Sequence, residues 1–231
     1  MLSDFFSTLQ KCRRLHSSLA TLDLDTYQYG GNPPVQPTPL LYLIDTPTLR
    51  LLFCFQNLTC LIICAVGFNL DDSVIAEMAR RWPQLCILQL IGRSPSTVPC
   101  TTLKSLEVLA RPCPHLESLF ISIDASEVPE LDRTSLPPAQ TAMVDLNVGH
   151  SPLSNPLSVA RYISGIFTDL DSVSTYDTSH GYDDYTEIEE TEELWADVNA
   201  HIPIVKGIRE EGRSWEKLRG SSAAVVSVSH T

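Results

Sequence analysis

Between Arg161 and Lys206 the sequence has no lysine or arginine, while eleven acids fall in that interval (Asp169, Asp171, Asp177, Asp183, Asp184, Glu187, Glu189, Glu190, Glu192, Glu193 and Asp197). The other 17 acids stand against 16 bases, so the net charge of −12 is local to this interval. No basic face is left to neutralise phosphates, which argues against a nucleic-acid partner. Paired cysteines are missing too: the seven cysteines, an odd number, include no Cys-x-x-Cys, and no signal peptide opens the sequence. Most of them stand where an apolar residue is wanted, so they read as small core hydrophobes in a reducing compartment, cytoplasmic or nuclear. Without a secretion signal, the sequon Asn57-Leu-Thr59 reads as a chance match.

No phosphate-binding loop, activated nucleophile or metal-ligand spacing is present, so an enzyme is not expected, nor a cofactor, a metal site or any catalytic residue. Three weaker features come nearest. Cys12 and His16 stand four apart on a helical stretch, half of a metal site at most. Cys113-Pro-His115 sets a thiol near an imidazole without a third, orienting group. The acidic run 183–193 lacks the Asp-x-Asp-x-Asp-Gly order of a calcium loop and reads as a solvated loop and helix start. Leu51 to Leu70 has twenty residues without a charge, a length that spans a bilayer, but Gln56, Asn57 and Thr59 in its interior make a membrane helix unfavourable.

What is present is a unit written twice. Ser73 to Leu85 and Leu103 to Leu116 are helical patterns ending in Trp82-Pro-Gln-Leu85 and Cys113-Pro-His-Leu116, each followed by the spacing Leu-x-x-Leu-x-Leu/Ile. That spacing is the strand signature of a leucine-rich repeat. Leu19, Leu58, Leu85, Leu116, Met143 and Leu170 open six such strands, separated by 39, 27, 31, 27 and 27 residues. The near-constant period predicts an α/β fold, a leucine-rich-repeat solenoid of about six helix-strand units with a parallel sheet over residues 1–176. The remainder divides into an acidic loop with capping helices broken at Pro203 (177–218) and a disordered tail (219–231). Helices are expected over Leu2–Leu15, from a cap at Asn69 or Asp71 to Arg81, over Thr102–Arg111 and from Asn155-Pro156 to about Phe167. Gly30–Pro39, Asp124–Gln140 and Tyr176–Tyr185 read as loops. The chain begins inside a repeat, so either a segment precedes it or its N-terminal edge is an interface.

The two Pro-containing units, their strands and the ending from Trp195 to Trp215 resemble the leucine-rich-repeat region of fungal F-box proteins, particularly the expanded set of mushroom-forming fungi. The resemblance implies an adaptor that brings a substrate to a Skp1-cullin ubiquitin ligase. No Leu-Pro-x-Glu-type helix opens the chain, so what carries over is the substrate-receptor half, with Skp1 binding doubtful.

Strand alternation sends the first, fourth and sixth positions inward and the third and fifth to the opposite face. On that face Cys60, Ile62, Ile87 and Phe120 form an apolar patch, joined by Gln89 and Asn147 as candidate binding residues. Such a patch reads either as a docking surface for a protein partner, which the resemblance implies is a ubiquitination substrate, or as the seat of a covering loop such as 30–39 or 124–140. The alternative to a binding scaffold is a truncated structural fragment without independent activity.

Overall fold

A computed structural model of the chain describes residues 2–25, 43–92, 99–130, 140–175 and 186–226. The amphipathic opening segment forms α1 (Leu2–Lys11), closed by a 3-10 turn at Arg13–Leu15, and leads into β1 (Thr21–Asp25). Then come β2 (Leu43–Asp45), α2 (Thr46–Arg50), a 3-10 turn (Leu51–Cys54), β3 (Cys60–Ala65) and β4 (Gly67–Asn69). Two helix-strand units follow, α3 (Asp72–Arg81) with β5 (Ile87–Gly92), and α4 (Lys104–Ala110) with β6 (Ser118–Ile121). The chain ends with β7 (Asp145–Asn147), α5 (Pro156–Ile166), β8 (Val173–Ser174) and α6 (Thr186–Val226).

The fold is α/β. Six strands make one parallel sheet in the order β1-β3-β5-β6-β7-β8, and β2 pairs in parallel with β4 in a separate pair. The sheet register matches the leucine spacing place for place: Leu22, Leu61, Leu88, Leu119, Leu146 and Val173 lie side by side. All six are buried, in one core with the apolar sides of α3 (Val74, Ile75, Met78, Ala79), α4 (Leu106, Leu109) and α5 (Val159, Ile163, Ile166). α3 packs on α4, α4 on α5 and α5 on α6, so helices follow one another in chain order along this side of the sheet.

Ladder pairing begins two residues after each of the first five opening residues and three after Leu170, and at the entry one carbonyl serves two successive amides of the next strand. The carbonyl of Ala20 accepts from the amides of Thr59 and Cys60 (2.8 and 3.1 Å), and that of Thr59 from Cys86 and Ile87 (2.8 and 3.1 Å). Cys86 does the same for Glu117 and Ser118, and Glu117 for Val144 and Asp145. One geometry recurs at four successive entries. The sequon residues serve the first of them: Asn57 Nδ2 donates to Ser17 O at 2.7 Å and Thr59 Oγ1 to Ala20 O at 3.2 Å.

A second column sits three residues before each opening position from Leu58 onward: Phe55, Trp82, Cys113, Gln140 and Phe167, all buried. Trp82 Nε1 donates to Phe55 O at 2.7 Å, and the Cys113 thiol lies 3.5 Å from Trp82 O. Gln140 replaces an apolar side chain without leaving a polar atom unmet: its Nε2 donates to Leu116 O (2.7 Å) and its Oε1 accepts from Met143 N (2.9 Å).

The helix caps follow from the sequence. Asp71 accepts from Val74 N at 3.0 Å, and Asn155, ahead of Pro156, accepts from Ser158 N at 3.0 Å. Of the two cap candidates before α3, Asp71 holds the position and Asn69 ends β4. Leu51 to Leu70 is divided among a 3-10 turn and two strands, and among the described residues no helix is long and apolar enough to cross a membrane.

Three expectations need correction. The ending is one helix, not two broken at Pro203. A proline inside a helix costs about 3 kcal/mol, but this one is held by packing on both sides: Trp195, Val198 and Ile202 before it and Val205 after it are buried. Arg209 then donates to the carbonyls of Ser164 and, at 2.8 Å, Arg161 in the last turns of α5, where the Ser164 carbonyl is one of the four a helix leaves without an intrahelical partner. Second, the same helix continues to Val226, through the first part of the predicted tail. Third, only Cys64 and Cys113 are buried; the other five cysteines are half-buried or exposed, because places such as Cys60 and Cys86 lie off the inward side. The β2–β4 pair had no counterpart in the sequence pattern, since three-residue strands carry too little periodicity. The predicted loops over 30–39 and 176–185, most of the acid-rich loop's second half (131–139) and the last residues, 227–231, lie outside the described residues.

Candidate functional site

The side of the sheet away from the helices carries the third and fifth strand positions. The register sets Thr21, Cys60, Ile87, Ser118 and Asp145 in one row and Asp23, Ile62, Gln89, Phe120 and Asn147 in the next. All six predicted binding residues, Cys60, Ile62, Ile87, Gln89, Phe120 and Asn147, therefore come together on four adjacent strands. Each is half-buried between its neighbours on the sheet.

The two rows change character across the sheet. At β1, Thr21 and Asp23 are exposed. β3 and β5 supply Cys60, Ile62 and Ile87, and β6 supplies Phe120. From β5 onward the polar side chains are linked: Gln89 Nε2 donates to Ser118 Oγ at 3.1 Å, and Ser118 Oγ donates to Asp145 Oδ2 at 3.0 Å. Asn147 Nδ2 donates to Thr175 O at 3.3 Å, while its Oδ1 accepts from Gly149 N at 2.8 Å. That last contact shapes the bend after β7, where Gly149 has φ +58° and a Cβ would come within 2.8 Å of Ser122 Oγ.

The thiol within the strip is not activated. Burial, the Asp23 carboxylate and Cys86 all raise the Cys60 pKa, keeping it protonated at neutral pH. Toward the C-terminal ends of the strands Cys64, on the same side as Cys60 and Ile62, is buried, while Ile91 beside it stays half-buried. Beyond those ends lies a small cleft of about 40 Å³, partly open to solvent, lined by Phe68, Leu90, Gly92, Thr101, Ser122 and His150 among others. Burial lowers the His150 pKa, with Glu192 opposing. His150 is the one titratable side chain among the described lining residues, which supplies no acid–base pair.

The weaker candidates resolve into structural roles. His16 Nε2 is 2.7 Å from Gln10 O and the Cys12 thiol 3.6 Å from Thr8 O, so both turn to their own backbone. Cys113 is sealed under α3 with its pKa pushed up to about 11 by burial, whereas His115 is exposed. A thiol in that state is the opposite of a nucleophile. Of the acidic run, 183–185 lies outside the described residues and the rest forms the start of α6. No group of three His, Cys, Asp or Glu suited to a metal occurs among the described residues.

The sequence pattern had no sign of Asn199. Its Oδ1 accepts from Val173 N at 2.7 Å and its Nδ2 donates to Val173 O at 2.8 Å. A side-chain amide from α6 thus takes the place of the next strand and blocks the sheet's last edge. A comparison with protein-family models finds no match for this chain, and a comparison with curated proteins finds no relative.

Proposed function

We propose that this chain is a non-catalytic protein-binding scaffold, a leucine-rich-repeat solenoid that docks a protein on the strand face carrying Cys60, Ile62, Ile87, Gln89, Phe120 and Asn147. The observation that carries the reading is the pairing of a fully buried inward row with a half-buried apolar strip on the other side of the same strands. The recurrent two-amide contact at strand entries and the in-sequence strand order support the repeat architecture. In this reading the chain corresponds to the substrate-receptor half of a fungal F-box-type ubiquitin-ligase adaptor, and the strip receives the protein to be ubiquitinated.

The test is affinity capture with the whole chain and with Ile87→Asp and Phe120→Asp, each first shown by circular dichroism to melt cooperatively. The expected outcome is a discrete partner captured by the wild type and lost with both variants. A partner retained by both would place binding elsewhere and overturn the assignment of the face. Recovery of Skp1 alongside the partner would extend the reading to ligase recruitment.

A further inference from the structure

The candidate face is flanked by charge of one sign. Asp23, on β1, and Asp145, on β7, are both exposed, and both belong to the rows that hold the apolar strip. Neither is ion-paired with a described residue; among the described residues Asp145 accepts from the Ser118 hydroxyl. No lysine, arginine or histidine occupies a third or fifth position on any of the six strands. From β1 through β3, β5 and β6 to β7 is four strand spacings. At about 4.8 Å each these separate the two carboxylates by roughly 20 Å, which an extended chain covers in about six residues.

We infer that the occupant of this face is an extended, basic protein segment crossing the strands, with aliphatic or aromatic side chains seated on Ile62, Ile87 and Phe120 and a Lys or Arg at each end, about six residues apart, set against Asp23 and Asp145. The apolar centre supplies the contact area, and the two carboxylates select sign and register, since unlike charges at a rim steer binding and like charges oppose it. This inference rests on the strand-face reading above and adds the chemistry of the partner.

Phage display of random peptides of roughly twelve residues, long enough to cross the strip, tests it on the full chain, on the Asp23→Asn/Asp145→Asn double variant and on Ile87→Asp. Enrichment of sequences with two bases around an apolar centre is expected. The double variant should hold them about tenfold more weakly at low salt, and Ile87→Asp should not hold them at all. If the enriched peptides are neutral or acidic, or are held equally by the double variant, while Ile87→Asp still abolishes capture, the charge inference fails and the strand-face reading stands. If Ile87→Asp captures as well as the wild type, or if nothing is enriched over a blank surface, both are overturned.

Discussion

Along β5, Leu88 and Leu90 are sealed under the helices, whereas Ile87 and Gln89, one residue away on the same strand, remain half-buried on the other side. The contrast holds on β6, with Leu119 and Ile121 against Ser118 and Phe120. One side has a helix layer to fill, and every place there is a large apolar residue. The other has no such demand, and its residues run from acid through aliphatic and aromatic to amide. Composition that packing does not dictate is where recognition chemistry has room to sit.

The sharpest way to break this comparison is to cut two adjacent strands, β6 on the helix side and β5 on the other. Leu119→Ala should cost about 2–5 kcal/mol, while Ile87→Thr, which keeps a β-branched side chain in a half-buried place, should cost under about 1 kcal/mol. Urea unfolding of the two variants measures both, and equal losses would mean that the outer side is as much core as the inner one. Next in size is the edge. Asn199→Ala leaves both polar groups of Val173 unmet, which should lower stability by about 2 kcal/mol and speed amide exchange at Val173.

A smaller effect is expected at the helix side of the sheet, at the cap of α3. Asp71→Ala should cost about 1 kcal/mol at neutral pH. The Ser73 hydroxyl, followed by the Val74 amide, holds the Asp71 carboxyl below its ordinary pKa. Its contribution is therefore fully present above the unfolded pKa of about 4 and is lost as pH falls through the lower folded value. The difference between wild type and variant should close on acidification, as thermal melts across that range will show. Least disruptive is alkylation under native conditions at pH 8. Exposed Cys12 and Cys100 should react first and half-buried Cys60 more slowly, with Cys113 protected until the chain unfolds; peptide mass spectrometry reads the order.

Much of the architecture was legible because two periodicities alternate cleanly. The leucine spacing located all six strands of the main sheet and their register, since a slip of one residue would turn Leu88 and Leu119 outward. Asp71 and Asn155-Pro156 marked helix starts through local chemistry alone. The six candidate binding residues were found the same way, as the other parity of the same strands. Illegible were features that join distant parts of the chain. The amide fork of Asn199 on Val173 depends on how α6 crosses the last strand. Pro203 looked like a break because local propensity argues for one, and the packing of Trp195, Val198, Ile202 and Val205 overrides it.

The sequence by itself determined which residues turn inward and which outward, because alternation along a strand is a property of the backbone and needs no partner. Only the tertiary structure decided that Cys64 is covered while Cys60 and Ile62 are half-buried, and that the last edge is blocked. Each of those depends on what another element brings to the place, and the free energy of such contacts between distant segments has no local signature in the chain.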